Sequence, residues 1–483
     1  MKKEALNPFL PAAAYIPDGE PHVFNDRVYL FGSHDKEGGE TYCMLDYEIW
    51  SAPVNDLSDW SSKGPNYSAK QDPLSNDEMK YMYAPDCVRG NDGRYYLYYC
   101  LSGDKGQGGY SNPISVAVSD TPDGKYEYLG FVRHEDGSPL TEQICFDPAV
   151  INDEGTIRLY FGTDYPWLNG IPSEWLRRKI LGKIFSKDPK KISMENLGAY
   201  HVTLKDDMLT ASSEPIRLDR TIIGKDYKNH FFFEGSSIRK IDGRYYFIYS
   251  SANNHELCYA VSKRPDGSYR YGGTIVSNGD IFYQGREPKD RLNHTGTNHG
   301  SIEKINGSFY VFYHRLTHNS DYSRQACAER IDVLPDGSIP QVPITSCGLN
   351  GGPLKGGSYP AVCCCNLTNG KMRHGSNSAQ KTDEPCVTDE NGERFITGIR
   401  GGTLIGYKYF SMEGEVRLTL TVRGEGGTFE TNLGVTVFVN PAEKWTRFST
   451  VFTAPEEDFP LFLTFRGTGA VELKEIALNT DFS

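Results

Sequence analysis

Five times along the chain, a short apolar stretch is followed by a polar turn and then by a strand rich in aromatic residues. The turns end at anchor residues Asp26, Gly93, Gly155, Gly243 and Gly307. Apolar segments on both sides of an Asn/Asp-Gly turn are typical of β-hairpins. The anchors are 67, 62, 88 and 64 residues apart, which is enough for four short strands in each interval. Because one hairpin cannot bury its own face, the repeat predicts an all-β fold, a five-bladed β-propeller.

The longest interval contains a segment with a different pattern. Residues 173–181 read Ser-Glu-Trp-Leu-Arg-Arg-Lys-Ile-Leu. This segment predicts a short helix with Ser173 as its N-cap, because a serine side chain can accept a hydrogen bond from the first helical turn. We interpret residues 170–197 as an insertion on the propeller.

The hairpin repeat ends at residue 345, and a glycine-rich stretch follows at residues 346–358. Beyond it, segments such as 416–422 and 461–465 alternate apolar and polar residues, which is typical of half-buried strands. We therefore predict a propeller domain at residues 1–345, a linker at 346–358 and a β-sandwich at 359–483.

Composition narrows the choice of partners. The chain has 51 Lys and Arg against 63 Asp and Glu, a formal net charge of −12. An acidic chain is a poor counterion for phosphate, so nucleic acid and membranes are not expected as partners. The N-terminal residues lack the apolar stretch of a secretory signal, and the eleven cysteines are an odd number. Both features favour a cytoplasmic protein with reduced thiols.

One polar residue precedes each hairpin, seven to nine positions before its anchor. The five residues are Asp18, Asp86, Asp147, Glu234 and His299. In a propeller, the equivalent ends of the innermost strands face the central channel, so these side chains should meet there. Crowded carboxyl groups have separated pKa values, so that one group keeps a proton while another is ionised. Glycoside hydrolysis needs such a pair, an acid for the leaving oxygen and a base for water.

Short motifs around these residues resemble glycoside hydrolase family 43 over residues 7–345. The motifs are Tyr-Ile-Pro-Asp at 15–18, Phe-Gly-Ser-His-Asp at 31–35, Tyr-Ala-Pro-Asp at 83–86, Phe-Asp-Pro at 146–148, Phe-Glu-Gly at 233–235 and Asn-His-Gly at 298–300. Each motif is weak alone, but their order and spacing are specific. The resemblance implies a five-bladed propeller of an inverting enzyme that acts on arabinose- and xylose-containing polysaccharides.

The resemblance also implies catalytic roles for three carboxyl residues. Asp18 would be the general base, Glu234 the general acid, and Asp147 would tune the pKa of the acid and position the sugar. The family often has Asp-Pro at the base, whereas Asp18 is followed by Gly-Glu-Pro, so Glu20 is a rival base.

Four further residues have two interpretations each. By resemblance, His299 would hold a calcium or sodium ion in the channel, and otherwise it is a neutral hydrogen-bonded histidine. Arg324 would contact sugar hydroxyls or lie on the surface. Trp167 would stack on a sugar ring or anchor a loop, and Asp86 would contact sugar or only shape the pocket. No cofactor is required for the chemistry.

Residues 359–483 resemble a family 6 carbohydrate-binding module, on the evidence of segments 406–410, 422–424 and 460–467. This resemblance implies a structural calcium, and Trp445 would be the binding platform. Alternatively, this domain has lost sugar binding and only supports the propeller.

Together these features predict an inverting exo-glycosidase that releases terminal α-L-arabinofuranose, with β-D-xylose as a second sugar, from xylan- or arabinan-derived oligosaccharides. One alternative is a propeller that binds sugar without turnover. The other is a glycoside phosphorylase, which would need a basic phosphate pocket.

Overall fold

The computed structural model describes residues 4–102, 110, 112–185, 189–375 and 384–480. Part of the predicted insertion, at 186–188, and part of the predicted sandwich, at 376–383 and 481–483, lie outside the described residues. Within the described ranges the chain consists of β-strands with one α-helix, which confirms the all-β part of the predicted fold class. No helix among the described residues combines the length and apolar content needed to cross a bilayer.

Residues 20–331 form five antiparallel sheets in which consecutive strands pair. The first sheet contains β1 (Glu20–Phe24), β2 (Arg27–Phe31), β3 (Trp50–Pro53) and β4 (Ser61–Ser62), and the second contains β5 (Tyr81–Arg89), β6 (Tyr95–Ser102), β7 (Ser115–Ser119) and β8 (Glu127–Phe131). The third sheet contains β9 (Ala149–Asp153), β10 (Thr156–Thr163), β11 (Gly198–Leu204) and β12 (Ile216–Arg217), and the fourth contains β13 (Phe232–Ile241), β14 (Arg244–Ser251), β15 (Glu256–Ser262) and β16 (Arg270–Ser277). The fifth sheet contains three strands, β17 (Ser301–Ile305), β18 (Ser308–Leu316) and β19 (Arg324–Ile331).

The first two strands of each sheet form the hairpins that the repeat predicts. The turn anchors Gly93, Gly155, Gly243 and Gly307 have φ angles between 74° and 91°. Glycine suits these turns because it adopts positive φ without a steric penalty. The repeated turn chemistry therefore fixes where each hairpin reverses.

The first strands of the five sheets lie next to one another around a common centre. β1 contacts β5, β5 contacts β9, β9 contacts β13, β13 contacts β17, and β17 contacts β1. Apolar side chains fill the space between neighbouring sheets; between the second and third, for example, Val116, Leu159 and Val202 are buried in one cluster. This arrangement brings the starts of the five first strands to one region.

The predicted helix is present as α1 (Glu174–Ile184), in the connection between β10 and β11. Ser173 caps it, because its hydroxyl oxygen accepts a hydrogen bond from the backbone N–H of Leu176 at 3.3 Å. Leu181 and the following Phe185 pack into an apolar cluster that also contains Tyr165. The helix is thereby fixed against the loop that follows β10.

Residues 357–479 form two further antiparallel sheets. The larger contains β20 (Gly357–Pro360), β22 (Cys386–Glu390), β23 (Glu393–Ile399), β25 (Glu415–Gly424), β28 (Ala442–Thr453) and β30 (Val471–Asn479); the smaller contains β21 (Asn366–Thr368), β24 (Leu404–Phe410), β26 (Gly427–Thr431), β27 (Thr436–Val439) and β29 (Phe459–Arg466). Inward-facing residues of both sheets, such as Leu418 and Leu463, share one apolar core.

Short 3₁₀ segments connect several strands. They span Ala69–Gln71, Pro166–Gly170, Pro189–Lys191, Met194–Asn196, Asp219–Thr221, Tyr227–Asn229, Asn278–Asp280, Tyr283–Gly285, Pro288–Asp290 and Ala361–Cys363.

All eleven cysteines lie in the described ranges, and none is in a disulfide.

Candidate active site

Three of the predicted carboxyl residues line one cavity of about 450 Å³. Asp18 and Asp147 come directly before the first strands of their sheets, with φ angles of 58° and 46°. Glu234 lies in β13 where the register shifts against β14. The backbone N–H of Gly235 donates to Asp147 at 2.9 Å, so the third and fourth sheets meet at this point. The structure therefore brings these carboxyl groups together, as their common offset predicts.

Asp18 is held by a buried arginine. Nη1 of Arg324 donates to both carboxylate oxygens of Asp18, at 2.8 and 3.0 Å, and Nδ1 of His314 lies 3.3 Å from Oδ1. Burial alone would raise the pKa of Asp18, but Arg324, with His314 and His299, holds this pKa well below its ordinary value. Asp18 is therefore ionised at neutral pH, the state that a general base requires.

Glu234 is in a different electrostatic environment. Burial and the charge of Asp18 raise its pKa to about 8, against the opposing effect of Arg324. Burial, Glu234 and Asp18 also raise the pKa of Asp147 well above its ordinary value. Because the two groups repel each other when both are ionised, the pair keeps a proton at neutral pH. One cavity thus contains the ionised carboxylate of Asp18 and a pair of carboxyl groups, Glu234 and Asp147, that keeps a proton.

Asp35 is the second carboxylate that contacts the guanidinium of Arg324. It accepts hydrogen bonds from Nε and Nη2 of Arg324 at 2.8 and 3.0 Å, and the guanidinium lies 4.7 Å from the ring centre of Tyr42. Arg324 lines the cavity and is buried, so it is not the surface arginine of the alternative interpretation, and its contact with sugar hydroxyls stays a prediction. Asp35 had no predicted role, although it ends the motif at residues 31–35.

Glu20, the rival base, lies away from the cavity. Its carboxylate pairs with Nη2 of Arg239 at 2.8 Å and accepts a hydrogen bond from Ser237. Burial raises the pKa of Glu20 to about 8 despite the nearby Arg239. Because Glu20 is buried, paired with Arg239 and absent from the cavity lining, the geometry favours Asp18 as the base.

Asp86 is also placed differently from its prediction. It lies inside β5, opposite Tyr98, and is fully buried away from the cavity lining. Its two oxygens accept hydrogen bonds from the backbone N–H groups of Cys87 and Val150, both at 2.7 Å, and Oδ1 contacts His22 Nε2 at 2.6 Å. Asp86 joins the second sheet to the third, and its contact with sugar stays a prediction.

His299 lies beside the carboxyl groups of Asp18 and Asp147. Its Nδ1 is 3.9 Å from both Asp18 Oδ1 and Asp147 Oδ2. Burial lowers its pKa to about 4, so the imidazole is neutral. Its Nε2 is buried without a hydrogen-bond partner among the described residues, as is Oε1 of Glu20. Each of these atoms could be a ligand of the predicted channel ion, which stays a prediction.

Two groups of ligand-type side chains converge among the described residues: Glu20 with His22 and Asp86, and His230 with Glu256 and Cys258. His299 belongs to neither group. No such group was found within the described part of residues 357–480, where a structural calcium was predicted, and that ion also stays a prediction.

The cavity has aromatic walls. Trp167, in the 3₁₀ segment after β10, lines the cavity and is 53% exposed, which leaves a ring face for stacking on a sugar. Tyr42, Tyr83 and Phe233 form further parts of the wall. These three residues had no predicted role in the site, because aromatic residues recur throughout the repeat and give no local signal of position.

Trp445, the candidate platform of the C-terminal region, is covered by other side chains. Arg423 lies over its ring at 4.5 Å, and its indole N–H donates to Glu393 at 3.0 Å. A sugar would have to displace these contacts, so this placement supports the alternative in which the C-terminal sheets are structural.

A comparison with known protein families identifies the family of this chain. The family model for glycosyl hydrolases family 43 matches residues 6–339. The chain belongs to this family. The match ends before the last two sheets, and the likeness of residues 359–483 to a family 6 carbohydrate-binding module stays a prediction.

Relatives in family 43 extend the comparison. The chain is 41% identical over 505 aligned residues, covering all of both proteins, to a xylosidase/arabinosidase of Thermoclostridium stercorarium. It is 29% identical to xylosidase/arabinosidase 43A of Humicola insolens, over 67% of this chain and 96% of that protein. A solved family 43 β-xylosidase/α-arabinofuranosidase from a compost metagenome, in complex with xylotriose, is 26% identical with a TM-score of 0.51, over 69% of this chain and 96% of that one. The family 43 chain is therefore a glycoside hydrolase.

Proposed function

We propose that this family 43 hydrolase is an inverting exo-glycosidase that releases terminal α-L-arabinofuranose, and also β-D-xylose, from xylan- or arabinan-derived oligosaccharides. One observation carries the proposal: an ionised Asp18 and a protonated Glu234 line the same cavity. The relatives named as xylosidase/arabinosidase support the pair of sugars.

In the proposed reaction, the terminal sugar occupies the cavity with its glycosidic oxygen next to Glu234. Glu234 gives its proton to that oxygen as the bond to the anomeric carbon breaks. Asp18 takes a proton from a water molecule, which attacks the anomeric carbon from the opposite face. The new hydroxyl group then has the inverted configuration, which requires about 6.5–9.5 Å between the two carboxyl groups.

Asp147 and Arg324 set the protonation states for this reaction. Asp147 and Glu234 repel each other when both are ionised, which keeps a proton on the pair, and the N–H of Gly235 fixes Asp147 in place. Arg324 stabilises the ionised form of Asp18. We assign them as tuning and positioning groups.

The fold is part of this proposal. Five sheets whose first strands contact one another in a cycle are what a five-bladed propeller requires. Two sheets around one core, at residues 357–479, are what a β-sandwich requires.

Nitrophenyl α-L-arabinofuranoside and β-D-xylopyranoside test the substrate assignment, and proton NMR of the first-formed anomer tests the stereochemistry. We expect turnover of both substrates, no dependence on phosphate, and inverted product. Full activity on another glycoside with neither substrate turned over would refute the assignment. Phosphate-dependent turnover would instead identify a phosphorylase, and binding without turnover a lectin-like propeller.

A further inference from the structure

Helix α1 brings positive charge to the rim of the active site in an acidic protein. It contains four basic residues and one acidic residue, whereas the whole chain has a net charge of −12. Arg178 is neutralised by Glu174, with Nε 2.9 Å from the carboxylate. Lys183 lines the active-site cavity and pairs with no carboxylate of the described residues. Ion pairs within this helix therefore do not neutralise its positive charge.

A second cavity, of about 460 Å³, adjoins the first. Its wall includes Arg177 of α1 together with Arg217 and Arg220, and we call it the arginine cavity. Tyr165 belongs to the walls of both cavities. Trp167 lines the active-site cavity and the preceding Pro166 lines the arginine cavity, so the two cavities lie on either side of this segment.

The arginine cavity has an excess of positive charge. Its acidic residues are Asp164 and Asp219, and both pair with Arg217, at 3.4 and 2.9 Å. Three arginines therefore share this wall with two carboxylates. Burial and the neighbouring Asp219 raise the pKa of Asp164 to about 6, so its negative charge decreases as the pH falls towards that value.

Two guanidinium groups in this wall are not paired with Asp164 or Asp219. Arg177 and Arg220 form no ion pair with any carboxylate in the described part of the chain. Nε of Arg177 is buried and has no hydrogen-bond partner among the described residues. An anion bound in the arginine cavity would give these two guanidinium groups the charge partner that they lack.

We propose that the arginine cavity is a subsite for the leaving part of the substrate, and that it binds the carboxylate of a uronic acid carried by the oligosaccharide. This inference rests on the proposed function, because it assumes that a glycan occupies the active-site cavity. A guanidinium fork matches a carboxylate with two parallel, charge-assisted hydrogen bonds, which are stronger than those it forms to the neutral hydroxyl groups of a sugar. The substrates of choice are then acidic oligosaccharides, in which a glucuronic acid branches from the xylose next to the cleaved bond.

The test compares xylotriose with xylotriose that carries α-1,2-linked glucuronic acid on its middle xylose. We expect kcat/KM for the acidic substrate to exceed that for the neutral one by about tenfold at low salt, the usual effect of one hydrogen bond to a charged group. The preference should shrink as salt is added, because salt screens exposed charges. In the Arg177→Met/Arg220→Met double variant, the preference should disappear while the neutral substrate is cleaved as before.

Arg178→Met is the matched control, because Arg178 lies on the same helix but is already paired with Glu174. It should keep the preference. Equal kcat/KM for the two substrates in the unmodified protein, or an equal loss for both substrates in the double variant, would overturn the inference.

Calorimetry with the Glu234→Gln variant separates this inference from the proposed function. Tighter binding of the acidic trisaccharide than of the neutral one supports the arginine cavity even if neither substrate is cleaved. Turnover of xylotriose without any preference for the acidic substrate, in binding or in rate, refutes the arginine cavity alone.

Discussion

At the scale of single residues, Asp18 and Glu234 share one cavity but titrate differently because their neighbours differ. Asp18 contacts the guanidinium of Arg324, whereas the carboxyl group of Glu234 has no hydrogen-bond partner among the described residues and is repelled by Asp18. In the proposed mechanism, the contact with this single buried cation therefore makes Asp18 the base and leaves Glu234 as the acid.

The pH dependence of kcat/KM follows from these protonation states. Only the protonated form of Glu234 can be the acid, so activity should fall as the pH rises through about 8. Only the ionised form of Asp18 can be the base, and its lowered pKa places the acidic limb below about pH 4, the ordinary value for an aspartate. A profile on nitrophenyl arabinofuranoside between pH 3 and 10 measures both limbs. A basic limb near pH 5 would contradict the account.

Replacement of Arg324 should move this profile. Arg324→Met removes the cation that lowers the pKa values of Asp18 and Glu234, so both limbs should move to higher pH. Arg324→Lys keeps the charge and should restore the position of the limbs, although it cannot form the same paired contacts. Circular dichroism checks that both variants are folded. Unchanged limbs in folded Arg324→Met would show that another group sets the pKa of Asp18.

Asp18, Asp147 and Glu234 could be located from the sequence because each lies eight or nine positions before a local turn signal. Asp86 could not be separated from them, because it lies at a similar offset of seven and only the folded structure shows that it is buried inside β5. The contact between Arg324 and Asp35 joins residues 289 positions apart. No local pattern predicts such a pair, since it depends on how distant strands meet.

At the scale of elements, the hairpins and α1 follow from local signals. Turn glycines and the Ser173 cap are encoded within a few residues, so the sequence predicts them directly. The helix extends to Ile184, beyond the predicted segment, because Leu181 and Phe185 pack into the cluster around Tyr165. Tertiary packing of this kind is invisible to a local pattern.

Leu181→Ala tests whether α1 is anchored by this packing. Leu181 is fully buried, so its truncation should cost about 2–5 kcal/mol of the free energy of unfolding of this region. The KM for oligosaccharides should also rise, because Lys183 and Ile184 of the same helix line the cavity.

Leu176→Ala is the control for this variant, since Leu176 is on the same helix but 45% exposed. Thermal unfolding followed by circular dichroism compares the two variants. Equal melting temperatures would show that α1 does not depend on its buried face.

At the scale of the whole molecule, the five sheets and the two C-terminal sheets share a buried polar contact. Asp280 accepts hydrogen bonds from Nζ of Lys408 at 2.6 Å, from Nδ2 of Asn366 at 3.0 Å and from the N–H of Ile344 at 2.9 Å. The two regions were predicted from the end of the hairpin repeat, but this contact was not, because no repeat or motif marks it. It supports a structural role for the C-terminal sheets.

Lys408→Met should be strongly destabilising, because it leaves the Asp280 carboxylate buried without its cation. Breaking a buried ion pair from one side costs about 3–5 kcal/mol, whereas removing both charges costs much less. Thermal unfolding should therefore show a lower melting temperature for Lys408→Met than for the Lys408→Met/Asp280→Asn double variant. Equal losses in the two proteins would show that the pair does not couple the regions.

The assignment of Glu234 as acid and Asp18 as base is tested most directly by the dependence of rate on the leaving group. Glu234→Gln removes the proton donor, so its kcat/KM should fall by several orders of magnitude for xylobiose but much less for 2,4-dinitrophenyl xyloside, whose leaving group needs no proton. Asp18→Asn should lose activity equally on both substrates, because water must be activated in either case. An equal loss on both substrates in Glu234→Gln, or a loss in Asp18→Asn that depends on the leaving group, would contradict the account.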